Sequence, residues 1–297
     1  MIRQEGLLLD SMISNPSQPE CQRLQVNGVH LGVVQCGAKN VAHATLVLLH
    51  GFTGSALAWR PIITGLAATG LHIVACDMLG HGLSDAPANA GRYSMQHCQE
   101  DILTVLQTLG IEPGEAILLG YSMGGRIALY AAFSSYFRAL ILESASPGLA
   151  TFAERQQRRA SDEALATRIE QDGIEAFINY WEQIPLFASQ QRLSAQQRQA
   201  LHTQRLNNSV QGLANSLRGV GTGMQPELYT RLPTLNLPLL LLAGELDSKF
   251  CAIAQHMATQ LPQVRLQIVL DAGHSIHLEQ PEVFVAQVSE FCASVLR

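Results

Sequence analysis

Residues 118–132 read LLGYSMGGRIALYAA, and this stretch decides the fold. Gly120-Tyr121-Ser122-Met123-Gly124 matches G-x-S-x-G. The apolar run Ala116–Leu119 precedes it, and the helix-compatible run RIALYAAF follows. That strand–turn–helix order is the context in which a serine is raised on a tight turn with its hydroxyl exposed. Small residues flank Ser122 because such a turn leaves no space for larger ones. A chance glycine-serine turn has no reason to sit between an apolar run and a helix.

Short apolar runs recur on both sides of this turn: Thr45–Leu49, His72–Cys76, Ala139–Leu142, Leu239–Ala243 and Leu266–Leu270. They are too short for helices and do not alternate, as parallel strands covered on both faces should not. Helical patterns such as Cys98–Leu109 and Gly125–Phe133 separate them. The alternation predicts an α/β fold with a mostly parallel sheet and helices on both faces. Ahead of it, LQVNGVHLGVVQCG reads as a hairpin turning at Asn27–Gly28. Residues 1–22 show neither period and read as a flexible N-terminal arm.

From Pro147 to about Leu232 no strand-like run occurs. This part reads as a helical cap, 147–232, inserted between core segments 23–146 and 233–297. It carries nine Arg and eight acidic residues, a net +1, whereas the rest carries ten basic and sixteen acidic, a net −6. The two add to the −5 of the whole chain. A cap less acidic than the body beneath it would draw an anionic substrate, although solvated helices also simply contain Arg and Gln.

The composition excludes several classes of function. With 47% hydrophobic and 14% charged residues the chain is globular. A net −5 without a Lys/Arg run argues against nucleic acid. No stretch reaches the roughly 18 apolar residues that span a bilayer, and residues 1–15 lack a signal-peptide core, so no membrane partner is expected. Six cysteines without CxxC or CxxH spacing suit thiols in a reducing, cytoplasmic setting better than disulfides or zinc. No metal ligand set and no cofactor motif emerges, and nothing specifies an oligomeric state.

A serine hydroxyl is inert at its free pKa and needs a base, which in turn needs an orienting acid. In this strand–turn–helix context the chain order is serine, acid, histidine. AGELDSKF follows the fifth parallel run and LDAGHSIHLEQP the sixth. These place Asp247 and His274 just beyond strand ends, where ligands bind in open α/β sheets. Glu143 and, more weakly, Glu245 are the other candidate acids, and His277 is the other candidate base. The His-Gly turn in LLHGFTGSALAW directs backbone N–H groups at developing oxyanion charge, with Phe52 and Met123 as the expected donors. His50 and His81 read as loop-holding residues.

HGF, DMLGHGLS, GYSMGG, GELD and AGHSIHLEQP together resemble the α/β-hydrolase superfamily over residues 24–297. The resemblance implies the fold and the Ser122–His274–Asp247 triad but not the reaction, which varies widely on this scaffold. Arg126 narrows it. Four residues of helix advance roughly 6 Å and return to nearly the same face, which can bring its guanidinium to the pocket rim.

With SPGLATFAERQQRRASD, NYWEQIPLF and LHTQRLNNS, the chain is similar to the 2-succinyl-6-hydroxy-2,4-cyclohexadiene-1-carboxylate synthases of menaquinone biosynthesis. That resemblance implies a lyase that eliminates pyruvate from a small polycarboxylate, without metal or cofactor. It carries substrate-binding roles to Tyr121, Arg126, Arg158, Trp181 and Arg205, with Arg155 and Arg159 as alternatives to Arg158. For such an elimination we read His274, oriented by Asp247, as making Ser122 basic enough to abstract the substrate proton. A carboxylesterase or thioesterase acylated at Ser122 is the rival enzyme, and a ligand-binding receptor on the same fold is the rival of another class.

Overall fold

The computed structural model describes residues 18–297. Two strands open the chain, β1 (Glu20–Val26) and β2 (Val29–Cys36), joined by the expected turn at Asn27–Gly28. β1 thus takes in the last residues of the expected arm, and residues 1–17 lie outside the described part. Six further strands follow: β3 (Ala44–Leu49), β4 (Leu71–Cys76), β5 (Ala116–Tyr121), β6 (Phe137–Glu143), β7 (Leu239–Gly244) and β8 (Val264–Val269). They form one sheet in the order β1-β2-β4-β3-β5-β6-β7-β8. β2 runs antiparallel to β1 and β4, and the pairs from β4 through β8 are parallel.

The strands carry continuous apolar runs because both faces are covered. Side chains alternate between faces along a strand. In β3, Val47 and Leu49 therefore enter one cluster and Leu46 and Leu48 the other. The first cluster lies under α2 (Met95–Thr108), α3 (Met123–Ala132) and α7 (Ser248–Ala258), with Ile102, Val105, Ile127 and Met257 among its members. The second lies under α1 (Arg60–Ala67) and α9 (Pro281–Val295), and includes Ile62, Leu66, Phe284 and Phe291. A one-turn helix, α8 (Ile276–Glu279), leads into α9.

Between β6 and β7 the chain forms α4 (Phe152–Trp181), α5 (Ala195–Leu206) and α6 (Val210–Val220). Capping boxes start α4, from Thr151 and Glu154, and α5, from Ser194 and Gln197. α4 kinks at Gly173. α4 and α6 share a small apolar cluster of Ala166, Ile169, Phe177, Ile178, Leu213, Ala214 and Leu217, against which Leu206 of α5 packs. α6 rests directly on the loop after β4, where a Cβ at Gly212 would lie 2.2 Å from the Gly80 carbonyl oxygen. Only two glycines allow that approach.

Candidate active site

Ser122 sits between the end of β5 and the start of α3, with φ +50. Gly124 makes the turn possible: a Cβ there would fall 2.2 Å from the Leu49 carbonyl oxygen. The Ser122 N–H bonds to the Glu143 carbonyl at 2.9 Å, which fixes the strained residue against β6. Thr53, in the loop after β3, and Ser144, directly after β6, also have positive φ. Strained non-glycine backbone of this kind persists where the surroundings over-determine it.

His274 Nε2 lies 2.9 Å from Ser122 Oγ, and its Nδ1 lies 2.6 Å from Asp247 Oδ2. With the Nδ1 proton donated to the carboxylate, Nε2 is left to accept the serine proton. Asp247 Oδ1 accepts the Phe250 N–H at 3.2 Å, so the acid is held by the start of α7. His274 is 1% exposed and Asp247 8%. The three candidates taken from separate motifs therefore form one hydrogen-bonded line.

The alternatives fall elsewhere. Glu143 and His277 pair with each other, Nδ1 to Oε2 at 2.8 Å, in full burial beneath Tyr121. Glu143 also accepts the His277 N–H at 3.0 Å. Glu143 thereby anchors both the serine turn, through its backbone, and the histidine loop, through its side chain. Glu245 accepts the Asp271 N–H at the surface. Glu279, which the sequence reading passed over, straps the same loop by accepting the N–H groups of Gly273 and Ser275 at 2.7 and 3.3 Å.

Phe52 and Met123 both border the cavity above Ser122. Met123 is the first residue of α3, so its N–H has no acceptor within the helix. His50 shapes the loop ahead of Phe52. Its Nε2 accepts the Met78 N–H at 3.0 Å and its Nδ1 bonds the Gly51 carbonyl at 2.7 Å. Burial lowers its pKa to about 4, so it is neutral at pH 7. His81, against the His50 ring, is lowered to about 3 by burial and by that neighbour.

The cavity encloses about 230 Å³ and is walled by Phe52, Tyr121, Trp181 and Phe187 on its aromatic side. A larger groove of about 690 Å³ runs between α5 and the start of α1, away from Ser122. Its size does not make it the site, because none of the triad lines it. Arg126 and Arg158 reach the smaller cavity, whereas Arg155 bonds the Leu149 and Ala150 carbonyls and Arg159 the Gly223 carbonyl. Arg158 is paired with Asp162 at 2.7 Å.

Arg126 differs from the other arginines. It is 9% exposed, bonds the Val220 carbonyl at 2.7 Å and makes no ion pair among the described residues. Burial, and then the charge of Arg158, lower its pKa to about 10, which leaves it charged at pH 7.

Arg205 does not line this cavity. It is tied to Glu182 at 3.0 Å and Gln190 at 3.3 Å, and Gln190 continues through Ser275 to the Tyr121 hydroxyl. Its spacing in the sequence could not show that Glu182 lies within reach.

The sequence profile of the alpha/beta hydrolase fold matches residues 44–281. A Bacillus subtilis (strain 168) protein bearing the provisional name 2-succinyl-6-hydroxy-2,4-cyclohexadiene-1-carboxylate synthase is 45% identical, over 91% of this chain and 97% of its own length. The synthase of that name from Salmonella paratyphi C (strain RKS4594) is 36% identical over 85% of this chain and 94% of its own. The solved structure of MenH from S. aureus superposes with a TM-score of 0.84 at 33% identity, covering 89% of this chain and 99% of that one. A thermophilic esterase from Thermogutta terrifontis, at 23% identity and TM-score 0.78, shares the fold. The chain belongs to the α/β-hydrolase fold family and, within it, to the 2-succinyl-6-hydroxy-2,4-cyclohexadiene-1-carboxylate synthases.

Proposed function

We propose that this chain eliminates pyruvate from 2-succinyl-5-enolpyruvyl-6-hydroxy-3-cyclohexene-1-carboxylate, giving 2-succinyl-6-hydroxy-2,4-cyclohexadiene-1-carboxylate, in menaquinone biosynthesis. The supporting observation is Arg126, a buried guanidinium with no carboxylate partner among the described residues, which borders the same cavity as a serine–histidine–aspartate line. A buried charge left without a partner is costly. A carboxylate-rich substrate supplies the partner, and an apolar acyl chain does not.

The change from a 3-ene to a 2,4-diene with loss of the C5 substituent defines the chemistry. The proton comes from C2, which is acidic because it lies next to the succinyl ketone. Ser122 Oγ takes that proton while passing its own to His274 Nε2, and Asp247 stabilises the imidazolium. The electron pair moves onto the ketone oxygen, held by the N–H groups of Phe52 and Met123. It then returns to form C2=C3, shifts C3=C4 to C4=C5, and breaks the C5–O bond. The departing enolpyruvate takes the proton from His274 and ketonises to pyruvate. Neither water nor a redox equivalent enters the balance. Tyr121, Trp181, Arg126, Arg158 and Arg205 are the proposed substrate contacts, Arg205 after exchanging Glu182 for a substrate carboxylate. The scattered thiols suit a cytoplasmic setting.

Pyruvate release from the enolpyruvyl substrate, followed by a coupled dehydrogenase, tests this reading. Rapid turnover of p-nitrophenyl esters with no pyruvate would replace it with acyl-enzyme hydrolysis at Ser122.

A further inference from the structure

A further cation, on a different helix from either arginine, lines the cavity. Lys249 borders it from the first turn of α7 and makes no ion pair among the described residues; its ammonium contacts the Phe250 ring at 5.7 Å. Ser144 borders it from the end of β6. That residue is 2% exposed, its backbone has φ +48, and its Oγ is buried without a hydrogen-bond partner among the described residues. Its N–H bonds the Leu242 carbonyl at 2.9 Å, which locks the strained conformation in place. In the sheet, β6 lies between β5 and β7. Ser144 therefore falls between Ser122, at the end of β5, and Lys249, beyond the end of β7. A hydroxyl strained into place and left unsatisfied at the edge of a cavity is a donor prepared for a ligand.

We infer that Ser144 Oγ and Lys249 Nζ form the subsite for the enolpyruvyl carboxylate, the group that departs as pyruvate; this rests on the proposed elimination. The substrate's name specifies three carboxylates: one on the succinyl arm, one on the ring and one on the enolpyruvyl group. The cavity lining itself carries three cations, Arg126 on α3, Arg158 on α4 and Lys249 on α7, and Arg205 stands behind it on Glu182. A rigid guanidinium grips a carboxylate that must stay, whereas a hydrated, flexible ammonium holds one that must leave. Lys249 is exposed, so the fragment bound there lies at the mouth. Its charge also stabilises the enolate that forms as the C5–O bond breaks.

The test uses the full chain and its Lys249→Gln, Ser144→Ala and Ser144→Gly variants. Inhibition by pyruvate is compared with inhibition by 4-oxo-4-phenylbutanoate, which carries the succinyl arm without the pyruvyl group. Lys249→Gln is expected to weaken pyruvate inhibition and raise the substrate KM about tenfold. The serine variants should do so about threefold, with inhibition by the succinyl probe unchanged in all three. Ser144→Gly relieves the positive φ, so a loss of pyruvate affinity in a protein as stable as wild type isolates the hydroxyl.

Unchanged pyruvate inhibition in the Lys249 and Ser144 variants overturns the subsite even where pyruvate is released normally. Equal weakening of both inhibitors also overturns it. Absence of pyruvate release by the wild type defeats the elimination reading instead. In that event calorimetric titration of wild type and Lys249→Gln with pyruvate still decides the subsite: an affinity lowered in the variant supports it, and equal affinities or no binding overturn it.

Discussion

The sheet body and the helical segment across it are held by different physics. The body has an extensive apolar cluster on each sheet face. It places Ser122, Asp247 and His274 at the ends of three strands, so their spacing is as rigid as the packing beneath. The segment from α4 to α6 shares a cluster of only seven buried residues. Polar tethers hold much of the rest: Gln204 to Ser55 at 2.7 Å, Asn208 to the Thr53 carbonyl at 2.8 Å, and Arg205 through Gln190 to Ser275. Ser122, Asp247 and His274 rest on apolar packing, as does Arg126 on α3, whereas Arg158 and Arg205 are held by exchangeable hydrogen bonds and ion pairs.

The sharpest test falls on the body. Ser122→Ala should lower the rate of pyruvate release about 10³-fold while leaving thermal stability near wild type; a variant keeping most of its rate would show that Ser122 is not the base. Next comes Arg126→Met. Loss of a charge-assisted contact worth roughly 3 kcal/mol should reduce kcat/KM about 10²-fold. The unliganded protein should be as stable as wild type or more so, since an unpaired buried charge is gone. A destabilised variant with normal kcat/KM would make Arg126 a strut between α3 and α6.

Acid should act on the body as well. His50 is depressed by burial from 6.5 to about 4. Between those values the unfolded chain binds the proton and the folded chain does not, so stability falls as pH drops through that window. His50 alone accounts for about 3 kcal/mol, and His81 shifts in the same direction. Denaturant unfolding at pH 7 and pH 4.5 measures this, and equal stability at the two would refute it. The smallest effect belongs to the cap. In Glu182→Gln, Arg205 no longer has to leave a carboxylate, so KM should fall about threefold, the equivalent of roughly 0.6 kcal/mol. A lower melting temperature with unchanged KM would give Arg205 a purely structural role.

The same division governs what the sequence could reveal. Strand positions were legible because continuous burial imposes continuous apolarity, and the triad because each member follows a strand end in its own motif. The partners of cap residues were not legible. Arg205 to Glu182 spans 23 positions, and Arg126 to Val220 spans 94; no local pattern records such meetings. Ser144 was missed because a serine after an apolar run looks like any strand terminator. Its positive φ and orphaned hydroxyl exist only in three dimensions. The Glu143–His277 pair was half visible, since both residues stood as alternatives for the triad and neither could be matched with the other.

The contact of Gly212 with Gly80 pins α6 to the loop after β4. With backbone against backbone there, α6 cannot slide or tilt without breaking the loop after β4. α4, by contrast, bends at Gly173, and α5 is tied to the body through side chains such as Gln204. In lineages that lengthen or shorten this layer, insertions should accumulate in those two helices and spare the crossing of 212 over 80. The layer is stitched to the body, backbone to backbone, at that crossing.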